Sequence, residues 1–142
     1  MAEYTANALQ AVETNQNVIF TDAVIPSMGA IMHRDDSGLF TLRSVPCQYC
    51  ARYKATFGAN IAIPDGGDVE AISLALAING EPISATSMIV TPAATGDFFN
   101  VASSIYIDVP QGCCSQLSVE NTSAQTIDIQ NANLIIEKAR GI

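Results

Sequence analysis

The chain has 142 residues, 49% of them apolar, with six Lys and Arg against fourteen Asp and Glu, a net charge of −8. That length suits one domain with a real core. The cations Arg34, Arg43, Arg52, Lys54, Lys138 and Arg140 are scattered, which excludes the clustered basic patch of a nucleic-acid binder, and the acidic balance disfavours an anionic membrane surface.

The opening MAEYTANALQAVETNQN has neither a basic n-region nor an apolar h-region, so it does not read as a secretory signal, and synthesis in a host cytoplasm is expected. No apolar run approaches the roughly 20 residues that span a bilayer. Residues 1–16 are assigned to an N-terminal arm, with a short helix over 5–12 as its alternative, and residues 17–142 to the folded domain. Along that domain, strands are expected at 17–20, 30–33, 39–44, 51–63, 69–78, 83–91, 98–109, 113–120 and 126–138. Turn chemistry separates them: Asp35-Asp36-Ser37-Gly38, Pro64-Asp65-Gly66-Gly67, Pro110-Gln111-Gly112 and Asn121-Thr122-Ser123. Asn79-Gly80 suits a two-residue type I′ hairpin.

Alternation supports strands throughout. Tyr53, Ala55, Phe57, Ala59, Ile61 and Ile63 share one face of a strand; Arg52, Lys54, Thr56, Gly58 and Asn60 share the other. Ile105, Ile107 and Val109 oppose Ser104, Tyr106 and Asp108. In the last strand the apolar parity changes from Ile127 and Ile129 to Ala132, Leu134 and Ile136. That change implies a bulge near Asn131 or burial of both faces. The expected fold is all-β, an antiparallel two-sheet jelly-roll sandwich. Phe57, Ile61, Leu74, Leu76, Ile105, Ile107, Leu117, Val119 and Leu134 are expected in its core.

Two faces invite contact. In 69–78 the face opposite Ile72, Leu74 and Leu76 carries Ser73, Ala75 and Ala77, small residues that permit close approach by a second subunit or a covering loop. A central strand buried on both sides is the other reading. The alternating face Ala102, Ser104 and Tyr106 is a second candidate, since Tyr is enriched at interfaces.

The order of elements resembles the complement-component/tumour-necrosis-factor-like jelly roll. Val18-Ile19-Phe20-Thr21 resembles its opening strand and YKATFGANIAI (53–63) its central strand. SLALAINGEP (73–82) resembles its Asn-Gly hairpin, ASSIYIDVPQGCCSQLSVE (102–120) its strand–turn–strand, and Asn133-Leu134-Ile135-Ile136 its closing strand. Aromatic content of 6%, the lack of Trp and a Gly112-Cys113 turn set the chain apart from the eukaryotic signalling subfamilies. MAEYTANALQAV and NANLIIEKA resemble small proteins of gut-bacterial prophages. The resemblance implies a homotrimer, with Ser73, Ala75, Ala77, Ala102, Ser104 and Tyr106 as its candidate interface. It also implies a structural module decorating or forming part of a phage virion, with a capsid or other virion protein as neighbour.

Chemistry-bearing residues are few. Cys47-x-x-Cys50 has zinc-ligand spacing, but Cys113 and Cys114 are adjacent and point to opposite faces of a strand, which weighs against a four-thiolate site. Parity turns Cys113 inward and Cys114 outward. Inert thiols are the first expectation and a disulfide the second. A thioredoxin-like role needs a helix N-terminus that Pro46 and its loop do not offer. His33, the only histidine, lacks a recognisable nucleophile motif around it. Asp35, Asp36, Asp65 and Asp68 lack EF-hand spacing and read as turn residues. No phosphate loop or dinucleotide motif is present. No metal, cofactor or enzymatic activity is therefore expected. A lone histidine argues against a cupin-type enzyme. A carbohydrate- or ligand-binding jelly roll of a bacterial cell or spore surface is the competing reading, with a cell-surface glycan as partner. It would draw on Tyr4, Tyr49, Tyr53 and Tyr106, which are dispersed, and on no Trp.

Overall fold

The computed structural model describes residues 1–26, 29–44, 50–112 and 114–139, with the backbone alone at Cys50. The strands are β1 (Ala2–Ala6), β2 (Gln10–Val12), β3 (Asp22–Ile25), β4 (Ile31–His33), β5 (Phe40–Arg43), β6 (Cys50–Ala62), β7 (Ile72–Ile78), β8 (Glu81–Pro82), β9 (Met88–Val90), β10 (Phe99–Pro110), β11 (Cys114–Asn121) and β12 (Ile127–Ala139). The only helical turn among the described residues is a 3-10 turn, Ser84–Thr86. No helix among them is long and apolar enough to cross a membrane.

The strands form two antiparallel sheets. The first runs β10-β6-β12-β1-β3, with β2 also on β12; the second runs β4-β5-β11-β7-β8, with β9 also on β7. The chain crosses between the sheets repeatedly, which makes a jelly-roll sandwich. Inward residues from both sheets fill one core. Phe57, Ile61, Leu74, Leu76, Leu117, Val119 and Leu134 are fully buried, Ile107 is nearly so, and Ile105 packs against them half-buried. Phe20 meets Phe40 at 5.4 Å and Phe57 at 6.3 Å, both edge to face, and so ties the two sheets together.

The parity change in the last strand is a bulge. The register of β12 against β6 slips between Gln130 and Asn133, and Asn131 takes a φ of 57°. The extra residue keeps Ile127 and Ile129 on the same side as Leu134 and Ile136. The hairpin also forms: Asn79 and Gly80 both have positive φ, 53° and 84°, as a type I′ turn requires. Gly38 is needed for space rather than φ. A Cβ there would lie 2.7 Å from the Val18 carbonyl oxygen.

Three expectations need correction. Residues 1–16 are no arm or helix: β1 lies inside the first sheet, paired with β12 on one side and β3 on the other. Ala2, Tyr4 and Ala6 alternate inward, and their partners are far along the chain, so no local signal marks them. Residues 17–20 make isolated bridges, Asn17 to Glu120 and Phe20 to Ser37, instead of a strand. The strand expected over 83–91 is interrupted by the 3-10 turn.

That interruption has a reason. β9 pairs with Ile72–Leu74 and β8 with Ala77 and Ile78, which leaves a gap along β7. Leu76 sits in the gap with both backbone groups satisfied. The Thr86 hydroxyl accepts from its N–H at 2.9 Å, and Ile83 N–H donates to its carbonyl at 2.8 Å. Thr86 is itself buried. Thr86→Val keeps the shape and strands the Leu76 N–H. It should cost about 1–3 kcal/mol in chemical denaturation, as for any buried donor left unpaired.

Burial pushes the Glu120 and Asp128 carboxyls above their ordinary range, with the charge of Asp65 adding to the effect at Asp128. An acid raised in this way supports the fold fully below its unfolded pKa, about 4. That support is lost as pH rises through the folded value. Asp128→Asn should therefore raise the thermal midpoint at pH 7. The gain should shrink as pH falls through the folded pKa and vanish below the unfolded one. A pH series of melting curves reads this directly.

Candidate functional site

The outer face of the first sheet carries exposed and half-buried side chains across all five of its main strands. It is built of rungs across paired strands. One rung runs Tyr106–Lys54–Glu137 across β10, β6 and β12. The next runs Ser104–Thr56–Ile135–Glu3–Ile25 and reaches β1 and β3, and the third runs Ala102–Gly58–Asn133–Thr5–Asp22. Alternation puts these side chains outward because their neighbours fill the core.

The middle of this face is small and nearly uncharged. Thr56 and Ser104 share a hydroxyl contact at 3.3 Å, and Asn133 donates to the Glu3 carboxylate at 2.6 Å. Gly58 lies between Ala102 and Asn133. Its φ is not positive, and a Cβ there would meet nothing closer than the Val101 carbonyl oxygen at 3.8 Å. A run of amides flanks one side, with Asn100 donating to Asn60 at 3.2 Å and Asn60 to Asn131 at 3.3 Å. On the other side Arg52 forks onto Asp108 through two bonds of 2.7 and 2.9 Å. That guanidinium holds the Asp108 carboxyl below its ordinary range. The Lys54 ammonium hangs 5.9 Å from the centroid of the Tyr106 ring, which is 62% exposed.

The six expected interface residues separate. Ala102, Ser104 and Tyr106 all lie exposed on this face. Ser73, Ala75 and Ala77 lie on the other sheet, where Ser73 is half-buried and the two alanines are not available to a partner. Ala75 and Ala77 are fully buried within one chain, Ala77 between Pro82 and Ser118 and Ala75 beside Glu120. The Ser73 hydroxyl is engaged with that of Thr122 at 2.6 Å. Small residues mark close packing there, but the chain packs against itself. Gly58, Asn133 and Ile135 were not singled out from the sequence as contact residues. The outward set containing Gly58 was legible, but its neighbours across the sheet follow only from the register.

His33 packs in the second sheet. Its ring stacks on Phe40 at 4.3 Å, and Nε2 lies 2.9 Å from the Ser37 carbonyl oxygen. Asp35 lies near it, on the rim of an open cleft shared with Tyr4 and Met32. Cys114 is exposed at the start of β11, opposite Arg43. Cys47 and Cys113 lie outside the described residues. Among the described residues no three His, Cys, Asp or Glu side chains group as metal ligands.

No family model and no curated protein matches the sequence. Among solved structures, the fold is similar to the globular domain of the zebrafish complement 1qA protein. The TM-score is 0.61 at 14% identity, over 94% of each chain. The sugar-binding EclA C-terminal domain overlaps less well, with a TM-score of 0.40 at 19% identity over 93% of this chain and 80% of that one. So does a CBM35 domain from Cellvibrio japonicus Abf62, at 0.38 and 11% over 97% and 98%. At these identities the likeness is one of fold: the chain is an antiparallel jelly roll built like the complement globular domain.

Proposed function

We propose that the chain is a non-enzymatic structural module that assembles as a homotrimer through the outer face of the first sheet and decorates a phage virion. The observation that carries self-association is Gly58. A glycine inside a strand costs roughly 0.5–1 kcal/mol relative to alanine. Neither its φ nor crowding within its own chain requires glycine there. Strand glycines mark a bulge or the close approach of another backbone or a ligand; Gly58 pairs with Asn133 beside the bulge of β12, and its outer side is open to such an approach. Ala102, Thr56, Ser104 and Asn133 around it are uncharged and fit the charge-depleted core of an interface. The trimeric state is what the complement-like resemblance implies. The virion setting rests on the prophage-like opening and closing phrases.

A second reading has one observation in its favour. Arg52, Tyr106, Asp108 and Ala139 border a shallow depression of about 530 Å³, in which an exposed tyrosine beside a forked Arg–Asp pair could stack a sugar ring. The two readings compete for the same side chain, because a trimer that buries Tyr106 removes it from glycans.

Light scattering coupled to size exclusion should give three times the 15.0 kDa chain mass. Gly58→Glu should reduce that to a single chain, with unfolding changed by no more than about 1 kcal/mol, as for other exposed strand sites. A wild-type chain at 15.0 kDa with affinity for a glycan array would favour the second reading. Mass spectrometry of particles purified after prophage induction tests the virion setting: the chain should co-purify with capsid protein.

A further inference from the structure

The two lateral edges of the sandwich differ, and each carries exposed apolar side chains. At the β3–β4 edge stand Val24, Ile25 and Met32; at the β9–β10 edge stand Ile89, Phe99 and Tyr106. Their charges differ as well. Near the β10 edge, the Lys54 ammonium leans over Tyr106, and no carboxylate of the described residues lies within ion-pair distance of it, although Glu137 is its cross-strand neighbour. Arg52 beside it is already forked to Asp108. At the other edge stand Glu3 and Asp22, with no cation on β1 or β3. Glu3 accepts from Asn133 and Asp22 from the Thr21 hydroxyl, both neutral donors.

We propose that copies of this chain pack head to tail, the Lys54–Tyr106 edge of one copy against the Glu3–Asp22–Ile25 edge of the next. The inference rests on the self-association reading above and names its two surfaces. Electrostatics selects the arrangement. A two-fold dimer formed edge to edge sets like edge on like edge, Lys54 near Lys54 or Glu3 near Glu3, in a chain that already carries −8. A head-to-tail contact sets the unpaired cation against the unpaired acids. Register selects a closed ring over a filament. Closure needs both surfaces at the same level along the axis. Ser104 and Ile25 are the two ends of a single rung, and the Lys54 rung is the adjacent one, within the reach of a lysine.

The test is a charge swap read by light scattering, with circular dichroism and melting curves to verify folding. Lys54→Glu and Glu3→Lys should each shift the assembled species to the single-chain mass at concentrations where the wild type is assembled. The double variant, and an equimolar mixture of the two single variants, differ in what they can restore. The double variant rebuilds every contact with reversed sign and should recover the assembled mass. The mixture has two compatible contacts, wild-type Lys54 against wild-type Glu3 and Lys54→Glu against Glu3→Lys, so the variants alternate, and a three-membered ring, which must set two like variants side by side, should not close. Should Glu3→Lys fail to fold because Asn133 loses its acceptor, Asp22→Lys, on an exposed position, takes its place. Single variants as fully assembled as wild type, or a double variant as dissociated as the singles, would overturn the proposal. A trimer indifferent to these changes but broken by Gly58→Glu leaves the trimer reading standing and removes only this choice of edges. A wild-type monomer removes both.

Discussion

The antiparallel pairing of β6 with β12 is the constraint on which the rest of the molecule depends. Both strands have thirteen residues, and they stand side by side in the first sheet. β10 is laid on the free side of β6, and β1 on the free side of β12. The pair works only because the bulge at Asn131 resets the alternation. Without it, one half of β12 would present Ile127 and Ile129 to solvent while the other half filled the core, since a one-residue slip exchanges the two faces of a strand. The same bulge fixes which residues of β12 look outward, and hence that Asn133, Ile135 and Glu137 complete the rungs begun by β10 and β6.

Much of this was legible in the sequence, for a physical reason. β6 and β10 are long and alternate cleanly, and β12 alternates on each side of its bulge, so each carries its own period-two signal regardless of its partners. Asn79-Gly80 and Asn131 are local conformational demands, and local chemistry announces them. The opening strands are different. Ala2, Glu3 and Ala6 carry little β-propensity, and the strand's stability comes from β12 and β3 rather than from the segment itself. Phe20 lies in the segment expected as a strand over 17–20. It is held instead by aromatic contacts to Phe40 and Phe57 from other parts of the chain.

The candidate surface was half legible. Ala102, Ser104 and Tyr106 alternate with buried residues, so their outward direction could be inferred. The same reasoning misassigned Ser73, Ala75 and Ala77. A small-residue face says that something approaches closely but not whose chain it belongs to. Here the Ile83–Thr86 segment, Ser118, Thr122 and Ser123 of the same chain crowd around β7. Hydrogen bonding decides such cases: Ser73 and Leu76 are already committed within the fold, whereas the Gly58 side of the sheet is left bare.

The placement of β1 also governs how the chain must fold. Asn133 donates to Glu3 across a separation of 130 residues, and the whole of β1 is clasped between β3 and the last strand. A nascent chain leaving the ribosome makes β1 long before its main partner, β12. Until β12 emerges, β1 and β6 each keep an unsatisfied row of N–H and C=O groups, the arrangement that invites pairing with a foreign strand. Contacts of such long sequence separation close slowly, because the loop entropy is lost before the pairing compensates for it. Completion of the first sheet, and with it of the face that would meet a neighbouring copy, thus waits for β12. A chain stopped short of β12 would lack Asn133, Ile135 and Glu137, the middle of that face.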